Sequence, residues 1–212
     1  MPTAALEEYL ETIYKLTGDQ PVRPTQIADA MGVSGPTVTA TLKRLESRGL
    51  VTREGTGVVL TPLGTEEALA IVRKHRVSER FLVDMLGLDW DVAHEEACRL
   101  EHALSPRVLE ALERFLGGPT ECPHGHPIPG TTGVSRAVSG RSLSEVGVGE
   151  TVEVLRVAED ADSLRYLGDV GLRPGITARV VASEPFDGPV SVDVGGRIRA
   201  LSREMARSVI VR

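Results

Sequence analysis

The chain is short of several things, and each shortage removes a class of answer. It has two cysteines in 212 residues, Cys98 and Cys122. That is too few for a disulfide framework, and a reducing compartment keeps both as thiols. No stretch approaches the roughly 18 uninterrupted apolar residues that a membrane span requires. Met1 to Thr12 carries three glutamates where a secretory signal would be cationic and then apolar. A cytoplasmic location with no membrane partner is expected. Aromatic residues make up only 3%, while 41% hydrophobic and 25% charged residues are ordinary for a globular protein. The chain also lacks the excess of positive charge usual in nucleic-acid binders, its net charge being −6. Phosphate contact depends on local patches, however. Between Ser34 and Arg53, Lys43, Arg44, Arg48 and Arg53 stand against Glu46, a local +3.

Residues 4–16 place Leu6, Tyr9, Leu10, Ile13 and Tyr14 at helical spacing. After a turn, Thr25 is expected to cap a short helix holding Ile27, Ala28 and Met31. Gly32 breaks the pattern, and Ser34 caps a second helix with Pro36 in its first turn. The runs Leu50 to Arg53 and Val58 to Thr61 flank Glu54-Gly-Thr-Gly57 and read as a β-hairpin. Helix, turn, helix and hairpin make a winged helix-turn-helix. Its second helix would offer Ser34, Pro36, Thr37 and Thr39 to base edges in the major groove, with Lys43 and Arg44 on phosphates. The hydroxyls can reach bases or phosphates, and Pro36 can pack against thymine methyls. A pure packing role for this unit leaves its small, polar helix start and following basic residues unexplained.

Further along, a long helix is expected from about Leu63 to Leu86, with shorter ones over Val92 to Leu104 and Pro106 to Leu116. Residues 117–140 hold six glycines and four prolines and read as loop and linker. Beyond Gly140, short valine-rich alternations (Val152 to Val157, Val180-Val181, Val190 to Val194, Val209 to Val211) predict a small β-barrel. The fold class is α+β. Its domains are a winged helix-turn-helix over 1–64, an all-α metal-binding and dimerisation domain over 65–130, a linker over 131–140 and an SH3-like barrel over 141–212.

All five histidines and both cysteines fall into clusters. On the helix at 92–104, His94, Cys98, Glu101 and His102 lie at about 0°, 40°, −20° and 80° at roughly 100° per residue. His75 and Glu79 share a face of the preceding helix, Glu8 and Glu11 one side of the first helix, and a loop offers Cys122-Pro-His124-Gly-His126. A lone helical histidine is ordinarily a surface or core residue, but this concentration points to metal. Carboxylate, imidazole and thiolate together are harder than a structural zinc site and suit Mn²⁺ or Fe²⁺. An enzyme would need a general base and a substrate pocket, and no Ser, Lys or Tyr constellation stands beside these ligands. A metal-buffering or transport-accessory protein would leave Ser34 to Arg53 without a purpose.

These residues resemble the diphtheria-toxin-repressor family of iron- and manganese-dependent regulators, over essentially the full length. Ser34-Gly-Pro-Thr-Val-Thr39 resembles its recognition-helix start. Arg73-Lys-His75-Arg and His94-Glu-Glu-Ala-Cys98-Arg-Leu-Glu101-His102 resemble its metal helices. Pro123-His-Gly-His-Pro127-Ile-Pro129-Gly is similar to its linker loop, and Leu167-Gly-Asp-Val-Gly-Leu-Arg-Pro-Gly175 to its C-terminal domain. The resemblance implies two metal sites per subunit. One would use Glu8, Cys98, Glu101 and His102, with Glu11 and His75 able to join. The other would use His75, Glu79 and His94 with a C-terminal carboxylate, best matched by Glu159 or, with one gap, Asp160. Cys122 and His124 match ligands of manganese-responsive members. Glu8, Glu11 and the Cys-Pro-His loop favour manganese over iron. Ala40 stands where several relatives have Gln, which implies a different operator. The expected function is a manganese-dependent (alternatively iron-dependent) homodimeric regulator that binds double-stranded DNA and represses metal-uptake genes. A metal joining the first helix to the central helices would fix the spacing of two recognition helices.

Overall fold

A computed structural model describes residues 3–18, 20–130 and 139–212. It falls into two compact units, Met1–Lys74 and His75–Arg212. Most of the expected linker, 131–138, lies outside the described residues.

The first unit opens with α1 (Ala4–Leu16), whose Leu6, Tyr9, Leu10 and Ile13 are buried. Next comes α2 (Pro24–Met31), which begins earlier than Thr25: Arg23 is its N-cap and Pro24 its first residue. Proline at N1 lacks an N–H the helix would not use and has the right φ. The Gln26 side chain closes the end by accepting from the Arg23 amide at 3.0 Å. Gly32, at φ +63°, turns the chain into α3 (Gly35–Ser47). Ser34 caps α3 as expected, its Oγ accepting from the Thr37 amide at 3.4 Å. Val38, Leu42 and Leu45 on the inner face of α3 are fully buried, each contributing on the order of 1.5–3 kcal/mol. The wing is β1 (Val51–Glu54) against β2 (Gly57–Leu60), with Glu54 opposite Gly57. Arg53 of β1 pairs with Glu46 of α3, Nε to Oε1 at 2.8 Å, which ties the wing to α3.

The long helix α4 (Pro62–Asp84) is continuous across the expected boundary after residue 64. The second unit continues with α5 (Trp90–Leu100) and α6 (Pro106–Phe115). Here α5 stops at Leu100 rather than Leu104: the Ser105–Pro106 step disfavours helix before the proline, and Ser105 instead caps α6 through the Val108 amide at 3.3 Å. Glu101 becomes the C-cap of α5. No residue of α6 is buried. Its Val108, Ala111, Leu112 and Phe115, with Phe81 of α4, line an apolar groove.

The C-terminal domain is a six-stranded antiparallel sheet of SH3-like type. It comprises β3 (Arg141–Ser142), β4 (Thr151–Arg156), β5 (Thr177–Ser183), β6 (Val190–Val194), β7 (Arg197–Leu201) and β8 (Ile210–Val211), ordered β3-β8-β4-β5-β6-β7. Two helices cover it, α7 (Ala161–Val170) and α8 (Arg203–Ser208). Its core gathers Val152, Val154, Val180, Val190, Val192, Leu164, Leu167, Leu172 and Leu201. The α7 helix packs on α5 and is joined to it by Arg165–Asp91 at 2.7 Å. Among the described residues no helix is long and apolar enough to cross a membrane.

Candidate metal centre and DNA-reading face

His75, the first residue of the second unit, is 1% exposed and sits between two carboxylates. Its Nδ1 meets Glu101 Oε2 at 2.7 Å and its Nε2 meets Glu79 Oε1 at 2.8 Å. Glu79 is fully buried. Its Oε1 also lies 2.9 Å from His94 Nδ1 and 3.3 Å from His124 Nδ1. Burial penalises the His75 cation, but the Glu79 charge and the contacts with Cys98, Glu101 and Glu79 outweigh it and hold its pKa well above the ordinary value. Burial likewise penalises the Glu79 anion, and the His75 charge with the approach of His124, His75 and His94 overrides it, so its pKa falls well below normal. Both ring nitrogens of His75 thus face carboxylate oxygens, an arrangement that favours the imidazolium.

Two triples bring donor atoms within 4.8 Å of one another in this unit: His75, His94 and Cys98, and Glu79, Cys122 and His124. The second is wholly buried. Its loop is built by a tight turn in which the Cys122 amide donates to His126 O at 2.8 Å and the Gly125 amide to Cys122 O at 3.0 Å. Gly125 has φ +86°, and a Cβ there would stand 2.0 Å from Leu155 O, so the loop lies flush on β4 only because this residue is glycine. Burial, with the charges of Glu79 and Glu159, pushes the Cys122 thiol well up.

Whether these residues fit a metal can be judged from what they leave unmade. Glu79 Oε2 and both ring nitrogens of His124 are buried without a hydrogen-bond partner. Orphaned buried polar atoms are costly. Here three of them belong to metal-competent side chains gathered beside a thiol, which is the donor chemistry a divalent cation satisfies. The residues fit.

The remaining expected ligands are distributed as follows. Exposed Cys98 lies 3.9 Å from His75 Nδ1, and His102 Nε2 lies 3.4 Å from Glu101 Oε1. Glu8 is exposed on α1, and Glu11 is buried there and paired with Lys15 at 3.0 Å. Glu159 is brought to Arg76 (3.1 Å) and not into either triple. Asp160 caps α7, accepting from the Ser163 amide at 2.9 Å. His126, whose pKa is lowered by burial against the Glu159 charge, bonds Val157 O at 2.7 Å. Nothing in the sequence around Arg76 assigns it a role. It is buried and binds Glu159 and, at 2.6 Å, Pro127 O, so one fork fastens α4 to the loop and to the sheet domain. Its position beside His75 was the only signal available.

On α3, Ser34, Pro36, Thr37, Thr39, Lys43 and Arg44 are all exposed. The hydroxyls are partly engaged: Ser34 Oγ and Thr37 Oγ1 are 2.8 Å apart, and Thr39 Oγ1 donates to Gly35 O at 3.0 Å.

Three family models match consecutive parts of the chain. Residues 1–59 match the iron dependent repressor N-terminal DNA binding domain, 61–130 the iron dependent repressor metal binding and dimerisation domain, and 141–212 the FeoA domain. The iron-dependent repressor IdeR of Mycobacterium tuberculosis is 39% identical over 97% of this chain and 95% of its own length. The chain belongs to the diphtheria-toxin-repressor family of iron-dependent repressors. Members are DNA-binding transcriptional repressors rather than enzymes. Among solved structures, a manganese-dependent transcriptional repressor in complex with manganese superposes with a TM-score of 0.87 at 35% identity, covering 97% of this chain and 98% of that one. The repressor ScaR with bound Cd²⁺ gives 0.85 at 33%, covering 98% of each. In this family member α4, α5 and the 122–126 loop each contribute donors to one polar cluster, and Arg76 beside it binds Glu159.

Proposed function

We propose that this repressor is activated by Mn²⁺, binds its operator as a homodimer and shuts off metal uptake. The observation that carries the metal reading is the buried set of Glu79, Cys122 and His124, three of whose polar atoms have no hydrogen-bond partner. Its relatives include an iron-dependent repressor and a structure named for manganese. Both ions suit carboxylate and imidazole donors, and the Cys-Pro-His loop with the acidic α1 favours manganese. Two sites per subunit are proposed: Glu79, Cys122 and His124 with His75 and His94 at hand, and Cys98, Glu101 and His102. Glu8 and Glu11 stay proposed as ligands on the sequence argument alone. A role for Glu159 as ligand requires it to leave Arg76. The bound ion supplies positive charge among carboxylates. The chain's residues do the rest, with Glu101 and Glu79 orienting His75 and holding its proton until metal displaces it. The exposed apolar face of α6 is the proposed dimer contact, and α3 the proposed reading helix.

The test is operator affinity titrated anaerobically with chelator-buffered Mn²⁺, Fe²⁺ and Zn²⁺, for the natural protein and Cys98→Glu. Mn²⁺ should activate the natural protein, and loss of the thiol should move preference further from Fe²⁺ and Zn²⁺. Tight zinc binding alone is expected from the Irving–Williams order and decides nothing. Activation by Fe²⁺ but not Mn²⁺ would establish the iron reading instead.

A further inference from the structure

One side chain that belongs to neither the sheet domain nor the 122–126 loop packs against both. Trp90, the only tryptophan in the chain, opens α5 yet is buried in the sheet domain's core with Leu164, Leu167 and Leu172. The Arg173 guanidinium carbon lies 4.5 Å from its ring centroid. The His124 imidazole stands edge-on to it, centroids 5.2 Å apart and planes at 79°. Beside it, Asp91 holds Arg165 of α7. The backbone of His124 is held separately, its carbonyl accepting from the Val157 amide at 3.1 Å.

A metal-ligating histidine is ordinarily oriented by a hydrogen bond from its second ring nitrogen to a carboxylate, carbonyl or water. His124 lacks one: Nε2 is buried with no such partner, and Nδ1 only approaches Glu79 Oε1, at 3.3 Å and without hydrogen-bond geometry. What remains to set the plane of its ring is packing, and the large rigid surface against it is the indole of Trp90. That indole is itself fixed by the sheet domain's core and by Arg173.

We propose that Trp90 is a positioning residue for His124, and that it couples metal capture at Glu79, Cys122 and His124 to docking of the sheet domain on α5. The proposal rests on the metal reading of this triple given above. The coupling is reciprocal. A domain that lifts from α5 takes away the surface that aims His124, and a metal that holds His124 keeps the indole, and α7 behind it, in place.

The experiment uses the full chain and Mn²⁺ alone as probe. Trp90 emission should change as Mn²⁺ binds the wild type. The change should vanish in His124→Ala and persist in His102→Ala. Trp90→Leu, which keeps an apolar core but loses the ring, should weaken Mn²⁺ binding at this site about tenfold, as loss of ligand-orienting partners does. Trp90→Phe restores an aromatic edge and should stay within about threefold of wild type. Amide exchange in Ala161–Val170 should slow with Mn²⁺ in wild type and Trp90→Phe but not in Trp90→Leu. Unchanged affinity in Trp90→Leu, or equal weakening of every metal site in both Trp90 variants, overturns the proposal and leaves Trp90 a core residue. Wild type and His124→Ala binding Mn²⁺ identically would overturn the metal reading of the loop itself. That result needs no Trp90 variant, so the two failures are separable.

Discussion

His75 and Glu101 meet at 2.7 Å, Nδ1 to Oε2, although 26 residues separate them in the chain. With Glu79 on the other ring nitrogen, both edges of this imidazole are committed before any metal arrives. A metal taken up by His75, as proposed, would therefore compete with a proton.

That sets a pH dependence. Because the His75 pKa is raised, Mn²⁺ affinity should climb about tenfold per pH unit for each proton displaced, until pH passes the raised value. Calorimetry in buffers of different ionisation enthalpy counts the protons. Affinity that is flat from about pH 6 to 8 would mean His75 takes no part. The metal-free fold should respond in the opposite sense. Stability from the raised His75 is fully present below its unfolded pKa and is lost as pH rises through the folded one. Stability from the lowered Glu79 is present above its unfolded pKa and is lost as pH falls through the folded one. Apo protein should therefore melt highest between the two, and added Mn²⁺ should stabilise it most on the alkaline side.

Glu101→Ala and His102→Ala should each abolish Mn²⁺-dependent operator binding, a loss of at least about 100-fold if first-sphere ligands go. Changing Cys122 should be milder, since that triple is proposed to hold the C-terminal domain more than to activate DNA binding. Gel shifts across buffered Mn²⁺ read this directly. Full metal-dependent binding in both of the first two variants would remove Glu101 and His102 from the activating site.

Pro36→Ala and Arg44→Ala should weaken operator binding while leaving Mn²⁺ affinity within a few fold. Arg44→Ala should also reduce the salt slope of binding by about one, the signature of one lost phosphate contact. If both bind like wild type, α3 is not the reading helix.

Val108→Glu and Phe115→Glu place charge on side chains that are 46% and 67% exposed in the protomer. The protomer should tolerate them, while a twofold contact through α6 should not, because the same patch meets itself. Light scattering at micromolar concentration with Mn²⁺ should give a dimer for wild type and a monomer for both variants. A wild-type monomer under those conditions would rule out the α6 dimer.

Much of this molecule is local, and what is local could be read. The Ser34 cap, the Gly32 turn and the wing follow from side chains acting on their own neighbourhood. The end of α5 could not be read from periodicity: His94, Cys98, Glu101 and His102 continue one helical face, but Ser105–Pro106 stops the helix first. The β7 strand was invisible because it is an edge strand, with four of its five residues exposed and two arginines in place of an apolar face. The candidate donors could be read, but not their partnership. Bringing Cys122 and His124 to Glu79 depends on how closely residues 122–126 lie on β4, and nothing in the spacing of Cys-Pro-His encodes that distance. Arg76 and Trp90 are long-range fasteners, and their roles exist only once three segments have met.

The fit of Gly125 against the Leu155 carbonyl has a genetic consequence. An alanine there adds one carbon where the backbone leaves 2.0 Å, at a φ that side chains avoid. The loop must shift, and two donor atoms shift with it. Alleles at codon 125 should therefore mimic those at codon 122, weakening metal-dependent operator binding mildly although they alter no candidate metal-binding or DNA-touching residue.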